Sequence, residues 1–588
     1  MTGPVLEPRD RLDARVAASA TGLLAAFNAH EEMLEAADVH VASRLGTLAG
    51  ETDERVLLAL ALAVRAARAG SVCVDLSDVA GIAPGLEWPE QRAWATAVSG
   101  SRLVASGVLR WDLDLVYLDR YWHQEVAVCE DLRAREDADP PAVDEPRLRA
   151  GLARLFPDEK YAEQRTAADR SSRRWTSVIT GGPGTGKTSM LSRLLALVIN
   201  NEPNADNGGG GLRIALAAPT GKAAARLARA VHDATAQADF TNAERDRLLR
   251  LEASTLHRLL GTRPDSTTRF RHDRANRLPH DVVVVDETSM VALPMMARLL
   301  EAIRPDTRLV LVGDAHQLAS VDAGAVLRDL VDGLPRGPSS PVSRLGTTHR
   351  FGAHIGALAD AVRHGRADEA WQLLEEGSDE VVLVDPEDMT AIHAAVVGPA
   401  EALVRASVAG DREGALRGLS AHRLLCAHRE GPWGVAQWNE RTERWLMDAL
   451  GRGWLDRWYA GQPLVVNAND YGLRLWNGDT GIVCASGQGL VALVDDGVHA
   501  QGRALSLSRL ADVSTAHAMT VHRSQGSQFG EVTVVLPDES SRLLSRELFY
   551  TAITRAEHRV RVVGTEASVR AACLRQAVRA SGLARRLA

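Results

Sequence analysis

The sequence of 588 residues contains only five cysteines, which are scattered and odd in number. None belongs to a Cys-x-x-Cys pair, so neither a disulfide framework nor a zinc site of that kind is indicated. This usage is typical of a reducing cytosol, and we expect a cytoplasmic protein. The five are Cys73, Cys129, Cys426, Cys484 and Cys573.

The chain also lacks an excess of basic charge, with a formal net charge of −8. A protein of this charge would bind nucleic acid through a local basic groove and not through its overall field. The first residues, MTGPVLEPRDR, lack the basic-then-apolar pattern of a secretory signal. No uncharged apolar run is long enough to span a membrane, so we expect no membrane partner.

The character of the chain changes at about residue 134. Residues 1–133 are rich in Ala, Leu and Arg, and the nearly continuous apolar run 56–67 predicts a buried helix. The stretch AREDADPPAVDEPRLR, which starts at Ala134, combines acidic residues with a Pro-Pro pair and predicts a linker. We therefore expect a mainly helical N-terminal domain at 1–133.

Short strands alternate with helices after this linker. The strands are short apolar runs, which are typical of parallel strands covered by helices on both faces. The sequence therefore predicts an α/β doubly wound fold. Between 461 and 513, short strands separated by Asn, Gly and Asp turns predict a small β-barrel. The apolar runs lie at 177–180, 215–218, 281–285, 308–312, 533–536 and 559–563.

A phosphate-binding loop is predicted at residues 181–188, which match G-x-x-x-x-G-K-[ST] in full. Its glycines allow successive backbone N–H groups to cradle phosphate oxygens, and the helix that follows adds a partial positive charge. Lys187 brings a cation to the β- and γ-phosphates, and Thr188 offers its hydroxyl to Mg²⁺. The predicted ATP contacts are Gly181, Gly182, Pro183, Gly184, Thr185, Gly186, Lys187 and Thr188.

Two carboxylates, Asp286 and Glu287, directly follow another predicted strand. Asp286 would hold Mg²⁺, and Glu287 would orient and deprotonate the attacking water. Such a pair often only ends a strand in solvent, but about a hundred residues beyond a phosphate loop it indicates an NTPase. These two motifs leave a helicase, a kinase and a transporter ATPase open.

Further polar residues follow predicted strands or lie near the C-terminus. Gln317 can sense the γ-phosphate, although in isolation it is more typical of a turn. Thr220, in APTGK, suits a phosphate of a nucleic-acid strand. Arg555 is a candidate arginine finger from a second domain and Arg350 is another; composition alone gives no reason to prefer them.

The order of these motifs resembles that of superfamily 1 helicases, and specifically of the RecD family, the alpha subunits of exodeoxyribonuclease V. GSVCVDL and VYLDRYWHQE more weakly resemble the N-terminal domain of that family, which docks on a partner subunit. The stronger segments cover most of residues 160–560: GGPGTGKT, APTGKAAARL, STLHRLLG, VVDETSM, VGDAHQLASVDAGAVL, HRFG, RLLCAHREGPWGVAQWN, NDYGLRLWNGDTG, AMTVHRSQGSQF and LFYTAITRA.

The resemblance implies two RecA-like doubly wound P-loop domains that enclose ATP, with a helical N-terminal domain and a small SH3-like β insert. We expect the first RecA-like domain at 134–345, with a strand-separating insert near 261–279. The second would occupy 346–460 and 514–588, interrupted by the SH3-like insert at 461–513.

The resemblance also implies roles for single residues. Gln164 would contact adenine, although a solvent-facing helix glutamine fits the sequence nearly as well. Gln528 stands where the family usually has Glu, which puts a ribose contact there in doubt. Four residues would couple the γ-phosphate to domain closure: Gln317, Arg350, Gly526 and Arg555. Four would touch single-stranded DNA: Pro219, Thr220, Thr520 and His522.

The implied function is that of an ATP-dependent 5′–3′ DNA helicase subunit of a RecBCD-type helicase–nuclease, with ATP and Mg²⁺ as cofactors. It would act on double-strand DNA ends in recombinational repair, with RecB-like and RecC-like partners and the nuclease centre in another subunit. One alternative is a free-standing helicase, but such relatives usually carry a helix-hairpin-helix region, for which this sequence shows no signal. The other is a motor-inactive structural subunit, which the intact Lys187, Glu287 and Arg555 argue against.

Overall fold

The computed structural model describes residues 13–588 with several gaps, and Arg350 falls in one of them, so it lies outside the described residues. The described part has an α/β architecture with two parallel sheets, which confirms the predicted fold class. The gaps are 31–32, 202–210, 237–238, 264, 321, 338–339, 348–351, 452–456, 471, 488, 496–500 and 578.

The N-terminal region is mainly helical and also contains a three-stranded antiparallel sheet in the order β1-β3-β2. Helix α3 confirms the buried helix predicted at 56–67, and helix α6 continues past residue 133 into the expected linker. The helices are α1 (Gly22–Asn28), α2 (Ala36–Ala49), α3 (Glu54–Arg68), α4 (Gln91–Ser99), α5 (Arg102–Ala105) and α6 (Asp119–Glu136). The strands are β1 (Cys73–Asp75), β2 (Leu109–Asp112) and β3 (Leu115–Leu118).

The first α/β domain is built on a parallel sheet of six strands in the order β11-β4-β10-β9-β5-β6. All four valines of β9 are buried, as expected for a strand with helices on both faces. A hairpin of β7 and β8 lies within the range expected for the small insert. The strands are β4 (Thr176–Gly181), β5 (Ile214–Ala218), β6 (Ala253–Thr255), β7 (Thr262–Arg263), β8 (Ser266–Phe270), β9 (Val282–Val285), β10 (Arg308–Gly313) and β11 (Val342–Leu345).

Helices cover both faces of this sheet. Helix α9 follows the phosphate loop, and ten consecutive residues of it are buried. The helices are α7 (Glu145–Leu155), α8 (Ala162–Ser172), α9 (Lys187–Asn200), α10 (Gly221–Ala234), α11 (Asn242–Leu249), α12 (Leu256–Leu260), α13 (Leu293–Ala302) and α14 (Val326–Gly333).

The second α/β domain has a parallel sheet in the order β12-β21-β20-β13-β19. The short strands predicted between 461 and 513 form a separate antiparallel sheet in the order β17-β16-β15-β14-β18. The strands are β12 (Val381–Val384), β13 (His422–Cys426), β14 (Pro463–Val466), β15 (Thr480–Ser486), β16 (Gly489–Val494), β17 (Arg503–Ser506), β18 (Val513–Thr515), β19 (Ala518–Thr520), β20 (Phe529–Val535) and β21 (Ala556–Val563).

Among the described residues, one helix of this part, α17, is long and apolar enough to cross a membrane by length and composition. It packs against α18, α19 and β15, so a packed helix of the second domain explains its composition. The helices are α15 (Ala353–Arg363), α16 (Ala367–Glu376), α17 (Met389–Val408), α18 (Arg412–Ala421), α19 (Val435–Leu450), α20 (Arg546–Ile553), α21 (Glu566–Leu574) and α22 (Leu583–Leu587).

The last ten residues, 579–588, return to the start of the chain. Helix α22 packs against α6 and α14, and its Leu583 is buried in the core that contains Leu330. The carbonyl of Ala580 accepts a hydrogen bond from the backbone N–H of Val72 at 2.9 Å. We call 579–588 the C-terminal clasp: it lies in the range expected for the second domain but packs on the N-terminal region and the first domain.

Candidate nucleotide and DNA site

The phosphate loop connects the end of β4 to the start of α9. Gly184 and Gly186 have φ angles of 81° and 78°, in the left-handed region that favours glycine. The Thr185 hydroxyl donates a hydrogen bond to the Gly182 carbonyl at 2.9 Å, which closes the loop on itself. The Nζ of Lys187 donates to the carbonyls of Gly181 at 2.7 Å and Gly182 at 2.9 Å. The ammonium group therefore lies over the loop, next to the place where phosphates would bind.

The second domain approaches this loop closely. A Cβ atom on Gly182 would lie 3.0 Å from the hydroxyl oxygen of Tyr550, on helix α20. A side chain at this position would push the tyrosine away. Glycine at 182 therefore allows the close approach of the two domains at this point.

A cavity of about 390 Å³ lies beside the loop and is lined by both domains. It is lined by the loop residues Pro183, Gly184 and Gly186 and brings together six further residues predicted to act on ATP, although they come from separate segments of the chain. From the first domain these are Lys187, Thr188, Asp286, Glu287 and Gln317, and from the second it is Arg555. Gln528 also lines this cavity.

The two carboxylates at the end of β9 are held in an unusual way. Burial and then the charge of Glu287 raise the pKa of Asp286 to about 6, and its Oδ1 accepts the backbone N–H of Glu287 at 2.9 Å. Glu287 has a φ of 51°, which for a non-glycine residue costs about 1–3 kcal/mol and is often found at functional sites. Asp286 and the Thr188 hydroxyl line the same cavity, and their oxygen atoms suit Mg²⁺.

Lys187 is the cation that faces these carboxylates. Burial lowers the pKa of its ammonium group, while Asp314, Glu287 and Asp286 act in the opposite direction. A buried cation needs such partners, because desolvation disfavours the charged form. The cavity therefore holds a fixed positive charge beside groups suited to a metal-bound phosphate.

Asp314 and Tyr550 were not predicted as site residues, yet they join the two domains at the cavity. Asp314 is 1% exposed, and its Oδ2 accepts hydrogen bonds from Gln317 Nε2 at 3.2 Å and from the Tyr550 hydroxyl at 3.0 Å. The position of Asp314 directly after β10, in VGDAHQ, could have identified it as a site residue. The sequence around Tyr550 offered no such indication except that it lies five residues before Arg555.

Arg555 forms part of the cavity wall although it is only 2% exposed. Its Nε donates to the Thr551 carbonyl and its Nη1 donates to the Ser527 carbonyl, both at 3.1 Å. Burial lowers the pKa of the guanidinium, and the nearby Glu287 opposes this shift. The structure thus places a second-domain cation opposite the first-domain carboxylates.

A smaller cavity of about 290 Å³ lies beside Gln164. Gln164 is 3% exposed, so it is not solvent-facing, and its Nε2 donates to the Thr185 carbonyl at 3.1 Å. Arg193 lies over the Tyr161 ring at 4.2 Å, and both line this cavity. Tyr161 and Arg193 were not among the predicted site residues, although Tyr161 lies three residues before Gln164 in the sequence.

The residues predicted to touch DNA lie at the ends of strands in the two parallel sheets. Pro219 and Thr220 follow β5 and are partly exposed, and the Thr220 hydroxyl caps α10 by accepting the Ala223 N–H at 3.2 Å. Thr520 ends β19 and is 7% exposed. Burial, and then Arg579 and Arg429, lower the pKa of the partly exposed His522.

Gly526, predicted to contact nucleotide, lies beside the nucleotide cavity and lines a neighbouring one of about 760 Å³. Its φ of 73° is in the left-handed region, and its carbonyl accepts a hydrogen bond from Arg226 of α10 at 3.1 Å. The residue therefore contacts the first-domain helix α10 through Arg226, which lines both cavities.

Two more hydrogen bonds cross between the domains at this place. The backbone N–H of Leu318 donates to the Thr551 hydroxyl at 2.9 Å, and Gln525 Nε2 donates to the Leu318 carbonyl at 2.8 Å. Together with Asp314–Tyr550 and Arg226–Gly526, we call these contacts the cleft seam. All four lie around the nucleotide cavity or its neighbour, so they form the boundary across which the domains meet.

Three protein-family models match parts of the chain. Residues 159–385 match an AAA domain, and residues 515–563 match the UvrD-like helicase C-terminal domain. Residues 30–115 match the N-terminal domain of the RecBCD enzyme subunit RecD. The first match contains the phosphate loop, and the second contains Gly526 and Arg555.

Curated relatives resemble the chain over most of its length. The RecBCD enzyme subunit RecD of Mycolicibacterium smegmatis is 56% identical over 566 residues, 95% of this chain and 99% of that protein. The RecBCD enzyme subunit RecD of Mycobacterium tuberculosis H37Rv is 54% identical over 98% of both chains. The ATP-dependent RecD2 DNA helicase of Deinococcus radiodurans is 32% identical over 70% of this chain and 50% of that protein.

Proposed function

Because the chain belongs to the RecD family of RecBCD enzyme subunits, we propose that it is the ATP-dependent DNA helicase subunit of a RecBCD-type helicase–nuclease. One observation carries the proposal: Lys187 and Glu287 of the first domain and Arg555 of the second line one cavity. Cations from both domains can therefore act on one phosphate group. Nucleotide binding would favour the closed arrangement, and release would favour separation.

Each residue of the cavity has a chemical part in this proposal. Lys187 and Arg555 stabilise the charge that develops on the transferred phosphate. Glu287 orients and deprotonates the attacking water. Gln317 senses whether the γ-phosphate is bound, and its hydrogen bond to Asp314 connects it to the second domain. Mg²⁺, held by Thr188 and Asp286, would neutralise phosphate charge. Arg350 is proposed as a second finger on the basis of the family resemblance.

DNA is proposed to run past the strand ends of both sheets. Pro219 and Thr220 of the first domain and Thr520 and His522 of the second would hold the backbone of one strand. Phosphate contacts carry no sequence information, which suits a motor that must move along any sequence. We propose 5′–3′ movement, as the family resemblance implies, with the hairpin near 261–279 separating the strands.

The partners proposed are RecB-like and RecC-like subunits, and the N-terminal domain at 1–133 would dock on one of them. The match to the RecD N-terminal domain at 30–115 supports this assignment. We propose that the complex acts in the cytoplasm on double-strand DNA ends in recombinational repair, with its nuclease centre in another subunit. The antiparallel sheet at 461–513 is proposed to be an SH3-like insert of the second RecA-like domain.

A free-standing helicase is the second candidate, because the chain is 32% identical to a RecD2 helicase. That match covers only 50% of the RecD2 protein, whereas the RecD subunits are matched almost end to end. Purification of the native chain distinguishes the two candidates. Stoichiometric recovery of two larger partner chains supports the subunit, and recovery of a monomer that unwinds DNA alone supports the free-standing enzyme.

The motor activity is tested by DNA-stimulated ATP hydrolysis and by unwinding of duplexes with a single 5′ or 3′ tail. We expect stimulation by single-stranded DNA and unwinding from the 5′ tail, both lost in Lys187→Ala, because one preorganised phosphate contact contributes about 10²–10³-fold. Arg444→Ala, which removes an exposed ion pair on α19, is the control and should change neither activity. Wild-type protein without ATPase activity would indicate a structural subunit.

A further inference from the structure

Arg226 was not among the predicted site residues, yet the fold places it at the nucleotide cavity. It lies on α10 and lines that cavity together with Lys187, Glu287 and Arg555. It also lines the neighbouring cavity of about 760 Å³ that extends toward the 461–513 insert. Its side chain thus stands where the two cavities meet.

Arg226 also makes a bond of the cleft seam. Its Nη1 donates to the Gly526 carbonyl at 3.1 Å, from the first domain to the second. The Gly526 carbonyl is directed by a left-handed backbone with φ of 73°, which glycine adopts without strain. The bond is charge-assisted, and such bonds are stronger than those between neutral groups.

The two segments that this bond joins both carry predicted DNA contacts at their other ends. Thr220 caps α10 six residues before Arg226, a distance of about 9 Å along a helix axis. Thr520 precedes Gly526 by the same number of residues, and a short helical turn at His522–Ser524 lies between them. Arg226 therefore connects the nucleotide-facing ends of two DNA-facing segments.

The charge of Arg226 acts on the nucleotide groups as well. Burial is the main cause of the lowered pKa of Lys187 and of Arg555, and the charge of Arg226 acts in the same direction. Burial raises the pKa of Asp286, and the charge of Arg226 opposes this by favouring the ionised carboxyl. A phosphate in the cavity would attract the same guanidinium. The Gly526 carbonyl and a phosphate oxygen are thus alternative partners for one cation.

We propose that Arg226 is a positioning residue that couples DNA binding to ATP hydrolysis, because it holds α10 to the Gly526 segment across the cleft. The inference rests on the proposed motor function and deepens it. Movement of either DNA-facing segment would be transmitted to the nucleotide cavity through this contact, and nucleotide binding would be transmitted back by the same contact.

The test compares Arg226→Ala and Arg226→Lys with Arg229→Ala in the full chain. Arg229 lies one turn further along α10, is 50% exposed, lines the neighbouring cavity and faces Asp495 of the 461–513 insert at 4.0 Å. It therefore controls for loss of another cation that reaches across the domains from this helix. Affinity for single-stranded oligonucleotide is measured with and without a non-hydrolysable ATP analogue. The ATPase rate is measured with and without saturating DNA.

For Arg226→Ala we expect the factor by which the ATP analogue changes the DNA affinity to fall about tenfold. The factor by which DNA stimulates the ATPase rate should fall by about the same amount. Arg226→Lys should restore part of both, because it keeps the charge but loses the fork geometry. Arg229→Ala should keep both factors within about twofold of wild type. A purely structural role would weaken DNA binding equally with and without nucleotide.

Two results would overturn the proposal. One is an Arg226→Ala protein with both factors intact, and the other is an equal loss in Arg226→Ala and Arg229→Ala. If the wild-type chain shows no stimulation of ATPase by DNA, the proposed motor function fails instead, so the two failures are distinguishable.

Discussion

The first domain takes part in two interfaces, the cleft seam and the packing of the C-terminal clasp, and they use different interactions. Where the clasp packs on the N-terminal region, Glu125 of α6 is fully buried and accepts hydrogen bonds at 2.8–3.0 Å from Tyr117 of β3 and from Ser581, Gly582 and Arg586 of the clasp. Breaking such a pair leaves an uncompensated buried charge. Separation of the clasp from the N-terminal region is therefore energetically costly.

The cleft seam is made of single hydrogen bonds beside two cavities. The Tyr550 hydroxyl donates to Asp314, and the Thr551 hydroxyl accepts from the Leu318 backbone. The bonds between neutral groups are each worth about 0.5–1.5 kcal/mol, and those that involve the charged Asp314 or Arg226 about 1.5–3 kcal/mol. The comparison shows that the clasp is held on the N-terminal region through a buried carboxylate with several partners. The two domains instead meet at the cleft through separate hydrogen bonds and the Arg328–Glu547 ion pair at 3.0 Å.

The largest expected effect is in the nucleotide cavity beside the seam. Arg555→Ala should lower the kcat of DNA-stimulated ATPase by about 10³-fold, the lower end of the range for arginine fingers. Steady-state ATPase assays measure it. The control is Arg559→Ala. It removes an arginine of β21 that forms a partly exposed ion pair with Glu531 of β20, and its kcat should stay within about twofold of wild type. Equal rates for the two variants would remove Arg555 from the phosphate chemistry.

Breaking the clasp should destabilise the protein without acting on the chemistry. Glu125→Ala removes the buried acceptor of Tyr117, Ser581, Gly582 and Arg586, while Arg586 keeps its ion pair with Asp112 at 2.8 Å. The loss should lower the free energy of unfolding by about 3 kcal/mol, the lower end of the range for a broken buried pair. Urea unfolding followed by circular dichroism measures this change. The control, Asp119→Ala, removes a half-exposed ion pair with Arg110 and should cost less than about 1 kcal/mol. A Glu125→Ala protein as stable as the control would show that the clasp interface is loose.

The carboxylate pair gives a pH-dependent prediction. Because burial raises the pKa of Asp286 to about 6, ATPase activity should fall as the pH drops through that value. Mg²⁺ binds the ionised carboxyl, so more Mg²⁺ should move this acid limb to lower pH. A pH–rate profile at two Mg²⁺ concentrations measures the shift, and an acid limb that does not respond to Mg²⁺ would contradict the assignment.

The same shift predicts how Asp286 affects stability. Its pKa in the folded protein lies above the ordinary 3.8, so the folded state binds the proton more tightly than the unfolded state. The contribution of this group to stability is therefore lost as the pH rises from about 4 to about 6. Asp286→Asn should be inactive but more resistant to urea than wild type at pH 7.5, and lower resistance would contradict the raised pKa.

The smallest expected effect comes from removing a single hydrogen bond of the cleft seam. Tyr550→Phe removes the hydroxyl that donates to Asp314 and should lower kcat by about 2–10-fold, as expected for one hydrogen bond. The control is Tyr459→Phe, which alters a buried tyrosine whose hydroxyl lies beside His517, away from the cleft. Tyr459→Phe should change stability and leave kcat unchanged. Similar losses of kcat in Tyr459→Phe and Tyr550→Phe would show that the Tyr550–Asp314 bond does not contribute specifically to turnover.

Much of the site could be predicted from sequence because its motifs are local. The phosphate loop requires contiguous glycines and Lys187, and Asp286 and Glu287 directly follow a strand. The parallel sheets followed from runs of buried residues such as the valines of β9. In each case a short window of sequence contains both the element and its functional side chain.

The contacts that join the domains could not be predicted in this way. Asp314 and Tyr550 are 236 residues apart, and neither position alone indicates a partner. The clasp likewise joins Glu125 to Arg586, 461 residues away. Arg226 lies in the segment APTGKAAARL that carries the family resemblance, but its contact with Gly526 follows from the packing of α10 and from no pattern in that segment. Such pairings depend on tertiary structure, which a single sequence does not encode in any short pattern.

The most direct test of the account is a structure of the chain bound to single-stranded DNA and ADP with a fluoride mimic of the transferred phosphate. The account predicts that Lys187 and Arg555 contact the same mimic, with Glu287 beside the attacking water. Arg555 still bound to the Thr551 and Ser527 carbonyls, and out of reach of the mimic, would contradict it.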